Sequence, residues 1–234
     1  GGIRREERGE RTVDPKTSNI GSRHVFRGGA WNRSEQFARV SYRGKISRLS
    51  LERLKDIKLR QQDAVLSCPL DKKLTFVSEG PGGQTEFFEH ITKQQGLMLL
   101  SNKSLKVALV TNHLPIKKVS TTLSIKLIEQ KLRIFYKSLQ MYFNISHPRI
   151  GVCGLNPHSG ENGAIGTEDL ELISPAIMKV STKLAHPQLI QGPFSADTLF
   201  WQARQGQFDG VLAMYHDQGL APIKTLSFDE TIHL

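Results

Sequence analysis

The sequence predicts an α/β fold, a parallel or mixed sheet with helices on both faces, and two observations carry that prediction. Short apolar runs rich in Val, Leu and Ile alternate with longer stretches whose apolar residues recur at helical spacing, the pattern of consecutive βαβ units. Three of the runs end in a small polar turn bearing a histidine: His113 after Val107–Val110, His158 after Ile150–Cys153, and His216 after Val211–Tyr215. In open α/β sheets the carboxyl ends of neighbouring strands converge on one crevice, where ligands bind. Three imidazoles on that edge, with water or substrate oxygens completing the shell, make a site for a catalytic divalent cation. One such histidine alone is more often an ordinary surface or core group.

The elements follow in chain order. Residues 1–42 alternate charges, glycines and isolated apolar groups without a sustained period, which predicts disorder or poor order. A helical pattern begins near Ser47, with Leu49, Leu51, Leu54 and Ile57, and ends before Gln61. Asp63–Ser67 reads as a short buried strand, and Cys68–Gly83 as a loop rich in Pro and Gly. Thr85 suits an N-cap, with Phe87, Phe88 and Ile91 as the apolar face of its helix. Gly96–Leu100 and Leu105–Val110 read as strands separated by a polar turn. The longest predicted helix runs from about Ser120 to Phe143, with Leu123, Leu127, Leu132, Phe135 and Leu139 as a core stripe. Arg149–Cys153 is the next strand, followed by the Gly154–Gly166 loop and a helix start at Thr167. The segment Gly192-Pro-Phe-Ser-Ala-Asp-Thr precedes a short helix, and Phe208–Tyr215 is a strand whose turn carries His216. No internal repeat is visible.

Composition narrows the function classes. The 234 residues suffice for one large α/β domain or two small ones, and 38% hydrophobic with 23% charged residues is globular. No apolar run approaches a membrane span, and the first residues lack the apolar stretch of a signal peptide. Cys68 and Cys153 are the only cysteines and both fall at predicted strand ends, so buried free thiols and a cytoplasmic setting are expected. The net charge of +10 is concentrated at the start: residues 1–60 hold 16 of the 32 basic residues but 7 of the 22 acidic ones. Arginine dominates there, 12 to 4 over lysine, whereas lysine dominates afterwards, 13 to 3. An Arg-rich leader could bind RNA or an acidic surface. Without interleaved aromatics or a repeated motif, a disordered or foreign segment is the better reading, and no nucleic-acid or membrane partner is expected.

The densest chemistry lies in two stretches. Asn156-Pro-His-Ser-Gly-Glu-Asn-Gly crowds donors, acceptors and two glycines after a strand, which suits either a ligand loop or a simple turn. In Tyr215-His-Asp-Gln-Gly-Leu-Ala-Pro-Ile-Lys, His216 could ligate a metal while Asp217 tunes it or binds a cation-bearing substrate. Lys224 could there hold a phosphate or carboxylate or serve in acid–base work; the alternative is a hairpin-like turn of solvated charges. Gly80-Pro-Gly-Gly-Gln-Thr-Glu is a glycine loop entering a helix, where an anion could sit, though a lone glycine cluster is weak. His24, His90, His147 and His186 lack such context and read as surface residues.

Taken together and in order, six stretches resemble the 4-hydroxythreonine-4-phosphate dehydrogenase family of pyridoxal phosphate biosynthesis. They begin at Asp63 (Asp-Ala-Val-Leu-Ser-Cys-Pro-Leu-Asp-Lys), Gly83 (Gly-Gln-Thr-Glu-Phe-Phe), Val107 (Val-Ala-Leu-Val-Thr-Asn-His-Leu-Pro) and Val152 (Val-Cys-Gly-Leu-Asn-Pro-His-Ser-Gly-Glu). The last two, beginning at Gly192 (Gly-Pro-Phe-Ser-Ala-Asp-Thr-Leu-Phe) and Val211 (Val-Leu-Ala-Met-Tyr-His-Asp-Gln-Gly-Leu), are long and specific. The likeness covers residues 43–234, read as a partial catalytic region behind the unassigned basic leader 1–42.

The resemblance implies NAD-dependent oxidation and decarboxylation of 4-phosphooxy-L-threonine to 3-amino-2-oxopropyl phosphate, on a fold like the isocitrate and isopropylmalate dehydrogenases. It implies His113, His158 and His216 as ligands of a divalent metal (Zn, Mg or Co), in a homodimer whose shared site takes one ligand from the opposite subunit. It also implies substrate binding by Gln84, Thr85 and Lys224, with Lys224 on the phosphate; His233 is a further substrate-binding candidate by its position, and Lys224 and Asp217 are the candidate catalytic groups on their own chemistry. Gln84 departs from the family's histidine and cannot take a proton. His233 stands about where the family has a substrate-binding asparagine. The chain ends before the family's substrate-binding arginine, and the family's first strands are not recognisable, so it reads as the middle of an enzyme. Two further readings are a non-catalytic truncated remnant, and a dehydrogenase of a phosphorylated threonate or erythronate.

Overall fold

The computed structural model describes Thr85, Glu86, Glu89 and residues 93–234. The leader, the helix expected from Ser47, the Asp63–Ser67 strand, the Cys68–Gly83 loop, Gln84, and the side chains of Phe87, Phe88 and Ile91 lie outside the described residues. Thr85, Glu86 and Glu89 are helical, so the helix expected there is present and Thr85 lies within it rather than as its cap.

Among the described residues the strands are β1 (Leu99–Ser101), β2 (Lys106–Leu109), β3 (Ile150–Cys153), β4 (Ile190–Phe194), β5 (Gly210–Ala213) and β6 (Ile232–His233). They form a mixed sheet in the order β4-β3-β5-β2-β1-β6. The β4, β3, β5 and β2 neighbours are parallel, while β1 is antiparallel to both β2 and β6. The helices are α1 (Val119–Thr122), α2 (Ile125–Phe143), α3 (Ser174–Ser181), α4 (Ala196–Arg204) and α5 (His216–Leu226).

Strand periodicity divides the core into two layers, because successive side chains leave opposite faces. Ala108, Val110, Ile150, Val152, Leu212 and Met214 pack with Ile128, Leu132, Phe135 and Leu139 of α2 and Ala176 and Val180 of α3. Val107, Leu109, Cys153, Val211 and Ala213 pack with Leu199, Phe200 and Ala203 of α4 and Leu220 and Ile223 of α5. The predicted helices therefore do cover both faces. Each fully buried Leu or Phe in these layers contributes about 1.5–3 kcal/mol of transfer free energy.

Several local expectations are corrected. The helix predicted as one piece from Ser120 to Phe143 breaks at Leu123, whose backbone is extended. Ser124 restarts it as an N-cap, its hydroxyl accepting from Leu127 N at 3.2 Å. Strand β4 is hidden in sequence because Gly192 and Pro193 interrupt it, which a sheet tolerates on the outer strand that β4 is among the described residues. The helix expected at Thr167 opens with a wide turn over Asp169–Ile173 before α3. Residues 216–226 form α5 rather than a hairpin-like turn, and His216 is its first residue. Edge strand β6, too short to show a period, carries His233. His147 and His186 are exposed, as expected, and their rings meet edge to face at 4.9 Å.

Candidate active site

The three histidine-bearing segments leave the carboxyl ends of three adjacent parallel strands, and side chains tie them together there. After β2, Thr111 donates to Met214 O through both its backbone N (3.1 Å) and its hydroxyl (2.8 Å). After β5, Gln218 accepts from Met214 N at 2.7 Å and donates to Gly154 O at 2.7 Å. The β2, β5 and β3 loops are thereby fixed relative to one another before any ligand is considered.

His113 and His216 come together. Their ring centroids lie 5.4 Å apart, tilted by 46°. Each has a carboxylate on Nδ1: Glu86 Oε1 at 3.3 Å from His113, and Asp217 Oδ1 at 2.7 Å from His216. A carboxylate on Nδ1 holds the proton there and leaves the Nε2 lone pair to a ligand. Burial alone would raise the Glu86 carboxyl, but its own backbone N–H and the Asn112 and His113 side chains outweigh it and hold it below the usual range.

The pair fits a divalent cation. With Zn–N bonds of 2.0–2.1 Å and tetrahedral angles, the centroids of two ligating imidazoles fall about 5 Å apart, close to the spacing found. Asn112 Oδ1, on the residue before His113, is buried without a hydrogen-bond partner among the described residues. Two histidines are nevertheless one short of the three protein ligands that catalytic zinc sites use. Among the described residues no group of three or more His, Cys, Asp or Glu side chains gathers as a metal cluster.

His158 is elsewhere. It lies on an exposed turn over Pro157–Gly163. There the backbone from His158 to Asn162 runs through five successive positive φ angles, 51°, 53°, 79°, 46° and 54°. Its charge reaches Asp197 at the start of α4, whose carboxyl is lowered first by the Ser195 hydroxyl and the Thr198 N–H and then by His158. A left-handed backbone costs an ordinary L-residue about 1–2 kcal/mol, so four of these five residues hold a conformation that the surrounding structure must enforce.

Lys224 and His233 stand on the His113–His216 side. Lys224, in the last turn of α5, has Nζ 5.5 Å from the Phe228 ring centroid. The His233 imidazole is pushed below the ordinary histidine value, first by packing around the ring and then by the charges of Lys224, His216 and His113. Thr85 is helical beside Glu86, while Gln84 lies outside the described residues. Glu86 was not singled out in sequence; only its position one residue after Thr85 hinted at it. Gln218 was equally unremarkable within its motif. Cys153 is buried and free, and burial raises its thiol far above the ordinary range, so it serves as a small apolar core group. Among the described residues no helix is long and apolar enough to cross a membrane.

Comparison with known proteins gives these features a common setting. The family model "Pyridoxal phosphate biosynthetic protein PdxA" matches residues 36–234. A 4-hydroxythreonine-4-phosphate dehydrogenase of Bacteroides thetaiotaomicron is 37% identical over 195 residues, covering 81% of this chain and 52% of that protein. One from Wigglesworthia glossinidia brevipalpis is 45% identical over 154 residues, covering 65% of this chain and 45% of the relative. The crystal structure of the Klebsiella pneumoniae 4-hydroxythreonine-4-phosphate dehydrogenase superposes with a TM-score of 0.68 at 33% identity, covering 78% of this chain and 56% of that one. The chain thus spans about half the length of the curated relatives it matches. On its motifs, its mixed sheet and this match across most of its length, the chain belongs to the pyridoxal phosphate biosynthetic protein PdxA family.

Proposed function

We propose that the chain carries the metal- and phosphate-binding centre of a 4-hydroxythreonine-4-phosphate dehydrogenase. The reaction oxidises and decarboxylates 4-phosphooxy-L-threonine to 3-amino-2-oxopropyl phosphate, within a cytoplasmic homodimer. The observation that carries this reading is the pairing of His113 and His216 at 5.4 Å, each with a carboxylate on Nδ1. His158, which among the described residues does not gather with that pair into a three-ligand group, would complete the donor set from a second copy.

The secondary alcohol gives up a hydride from carbon and a proton from oxygen; the β-keto acid formed then loses carbon dioxide and takes a proton at the vacated carbon. When bound, a divalent cation would supply Lewis acidity toward negative charge on the substrate oxygen, and NAD the hydride acceptor. His113 and His216 would hold the cation through Nε2, oriented by Glu86 and Asp217. Lys224 would hold the phosphate as a point charge. His233, favoured neutral first by desolvation and then by neighbouring charges, can hydrogen-bond the substrate without adding charge beside the cation. Thr85 and Gln84 would bind the remaining polar groups, and Gln84 does so without accepting a proton.

The test uses the purified full chain with NAD, 4-phosphooxy-L-threonine and zinc, magnesium or cobalt, followed by NADH absorbance. NADH formation that needs the metal and falls in His216→Ala is the expected result. A folded, metal-loaded sample that yields no NADH at high concentration overturns the activity and leaves a non-catalytic remnant. NADH from a phosphorylated threonate or erythronate alone would move the substrate to that class, with Gln84 as the residue to examine.

A further inference from the structure

Asp169 is wholly buried, and no cation among the described residues pairs with it. Its carboxylate is satisfied by the other end of the histidine loop. Oδ1 accepts from Leu155 N at 2.9 Å, and Oδ2 from Asn156 N at 3.2 Å and Asn156 Nδ2 at 2.9 Å. The same Asn156 amide donates to Glu168 Oε2 at 2.8 Å. The loop is built tightly around this group. A Cβ on Gly154 would stand 2.5 Å from Asp169 Oδ1, and one on Gly160 would stand 3.2 Å from Oδ2 and 2.6 Å from Gly166 O. Asp169 therefore grips both the exit of β3 and Asn156, the residue immediately before the Pro157–Gly163 turn that carries His158.

The grip explains how the left-handed run from His158 to Asn162 is maintained. That run includes four residues other than glycine, and its backbone hydrogen bonds among the described residues stay within the loop: Ser159 N to Asn156 O at 3.1 Å, Ala164 N to Glu161 O at 3.2 Å and Ile165 N to Gly160 O at 3.0 Å. A carboxylate accepting three N–H groups away from water is a strong local clamp, because each donor loses its partner if the carboxylate is removed. Its backbone is tied down in turn by Ser174, whose hydroxyl donates to Asp169 O at 2.9 Å.

We propose that Asp169 is the positioning residue for His158: by clamping Leu155 and Asn156 it sets the left-handed turn that presents the His158 imidazole. The proposal rests on the reading of His158 as a metal ligand given above. Asparagine at 169 keeps the size but swaps one acceptor oxygen for a donor, which must then face an N–H. The turn loosens and the imidazole loses its fixed direction.

The test is calorimetric zinc binding to the full chain in the unaltered protein, His158→Ala, Asp169→Asn and the double variant. Thermal denaturation reports the fold alongside. Supporting-residue changes typically weaken metal binding by about 10–100-fold. That loss is expected for Asp169→Asn, with the double variant no weaker than His158→Ala alone. In the metal-free protein, NMR should show the His158 ring signals of Asp169→Asn moving to those of a freely rotating side chain, with His113 and His216 unmoved. If His158→Ala leaves zinc affinity unchanged, the ligand reading fails and takes the proposal with it. If His158→Ala weakens binding but folded Asp169→Asn binds zinc normally, the proposal alone is overturned. Should Asp169→Asn not fold, Asn156→Ala, which removes one of the three donors, carries the test. A several-fold loss of affinity is expected there, and none would overturn the proposal.

Discussion

At the scale of single residues, the site is a set of imidazoles whose outer nitrogens are freed by acids on the inner ones. Asp217 is the clearer case: its side chain is 87% exposed, so it contributes little to packing and its contact with His216 is separable from stability. Asp217→Ala is expected to weaken zinc binding about 10–100-fold while leaving the thermal midpoint nearly unchanged. Calorimetry and a melting curve on the same sample check both halves, and an unaltered affinity would remove Asp217 from the site. Glu86 plays the equivalent part for His113 but is half-buried, so its removal should cost stability as well. His216 itself is legible in sequence as the residue after a strand. That it opens a helix is not, because Pro222 and Gly219 argue against a helix through the following residues.

At the scale of elements, the loops are held by hydrogen bonds across the carboxyl edge of the sheet, and Gln218 is the bracket between β5 and β3. Gln218→Leu would leave Met214 N and Gly154 O without their partners. Each unsatisfied buried group costs about 1–3 kcal/mol, so a fall in stability of about that size or somewhat more is expected in denaturant unfolding. Faster amide exchange at Met214 should accompany it; unchanged exchange would show that the bracket is dispensable. The buried Lys131 joins the Thr85 helix to α2 in a similar way, donating to Glu89 Oε1 at 3.2 Å and to Gly96 O at 2.6 Å. It thereby holds the segment that brings Glu86 to His113. A lysine in the middle of a helical pattern gives no sign in sequence that it points inward, since only the facing helix supplies its partner.

At the scale of the whole molecule, stability should decline in two stages on acidification. The folded His233 binds its proton more weakly than an unfolded histidine. Because His233 is exposed on β6, its contribution is small; it is complete above the ordinary histidine value and is lost as pH falls from that value to the depressed one. The Asp209 carboxyl behaves as the usual acid does: burial would raise it, but hydrogen bonds from the Arg149 side chain and backbone outweigh that and hold it low. Its contribution is present above the ordinary carboxylate value and disappears as pH falls through the folded one, as does that of Glu86. A melting-temperature profile from neutral to acid pH should therefore show a shallow loss and then a deeper one, and His233→Gln should flatten only the first. Loss of the second stage in that variant would contradict the assignment.

The sequence by itself determined the alternation of strands and helices, the two-faced core, the strand ends that carry His113, His158 and His216, and the family to which its motifs point. These are readable because period, turn chemistry and long motifs are local properties of the chain. Which side chains meet was decided by the tertiary structure alone. Strand order sets β2 beside β5 and β5 beside β3, which pairs His113 with His216 across about a hundred residues of chain. The same order leaves His158 on a separate turn, governed by a buried aspartate that lies beyond the loop itself. Contacts of this kind depend on sheet order and packing direction, and neither leaves a mark on neighbouring residues in sequence.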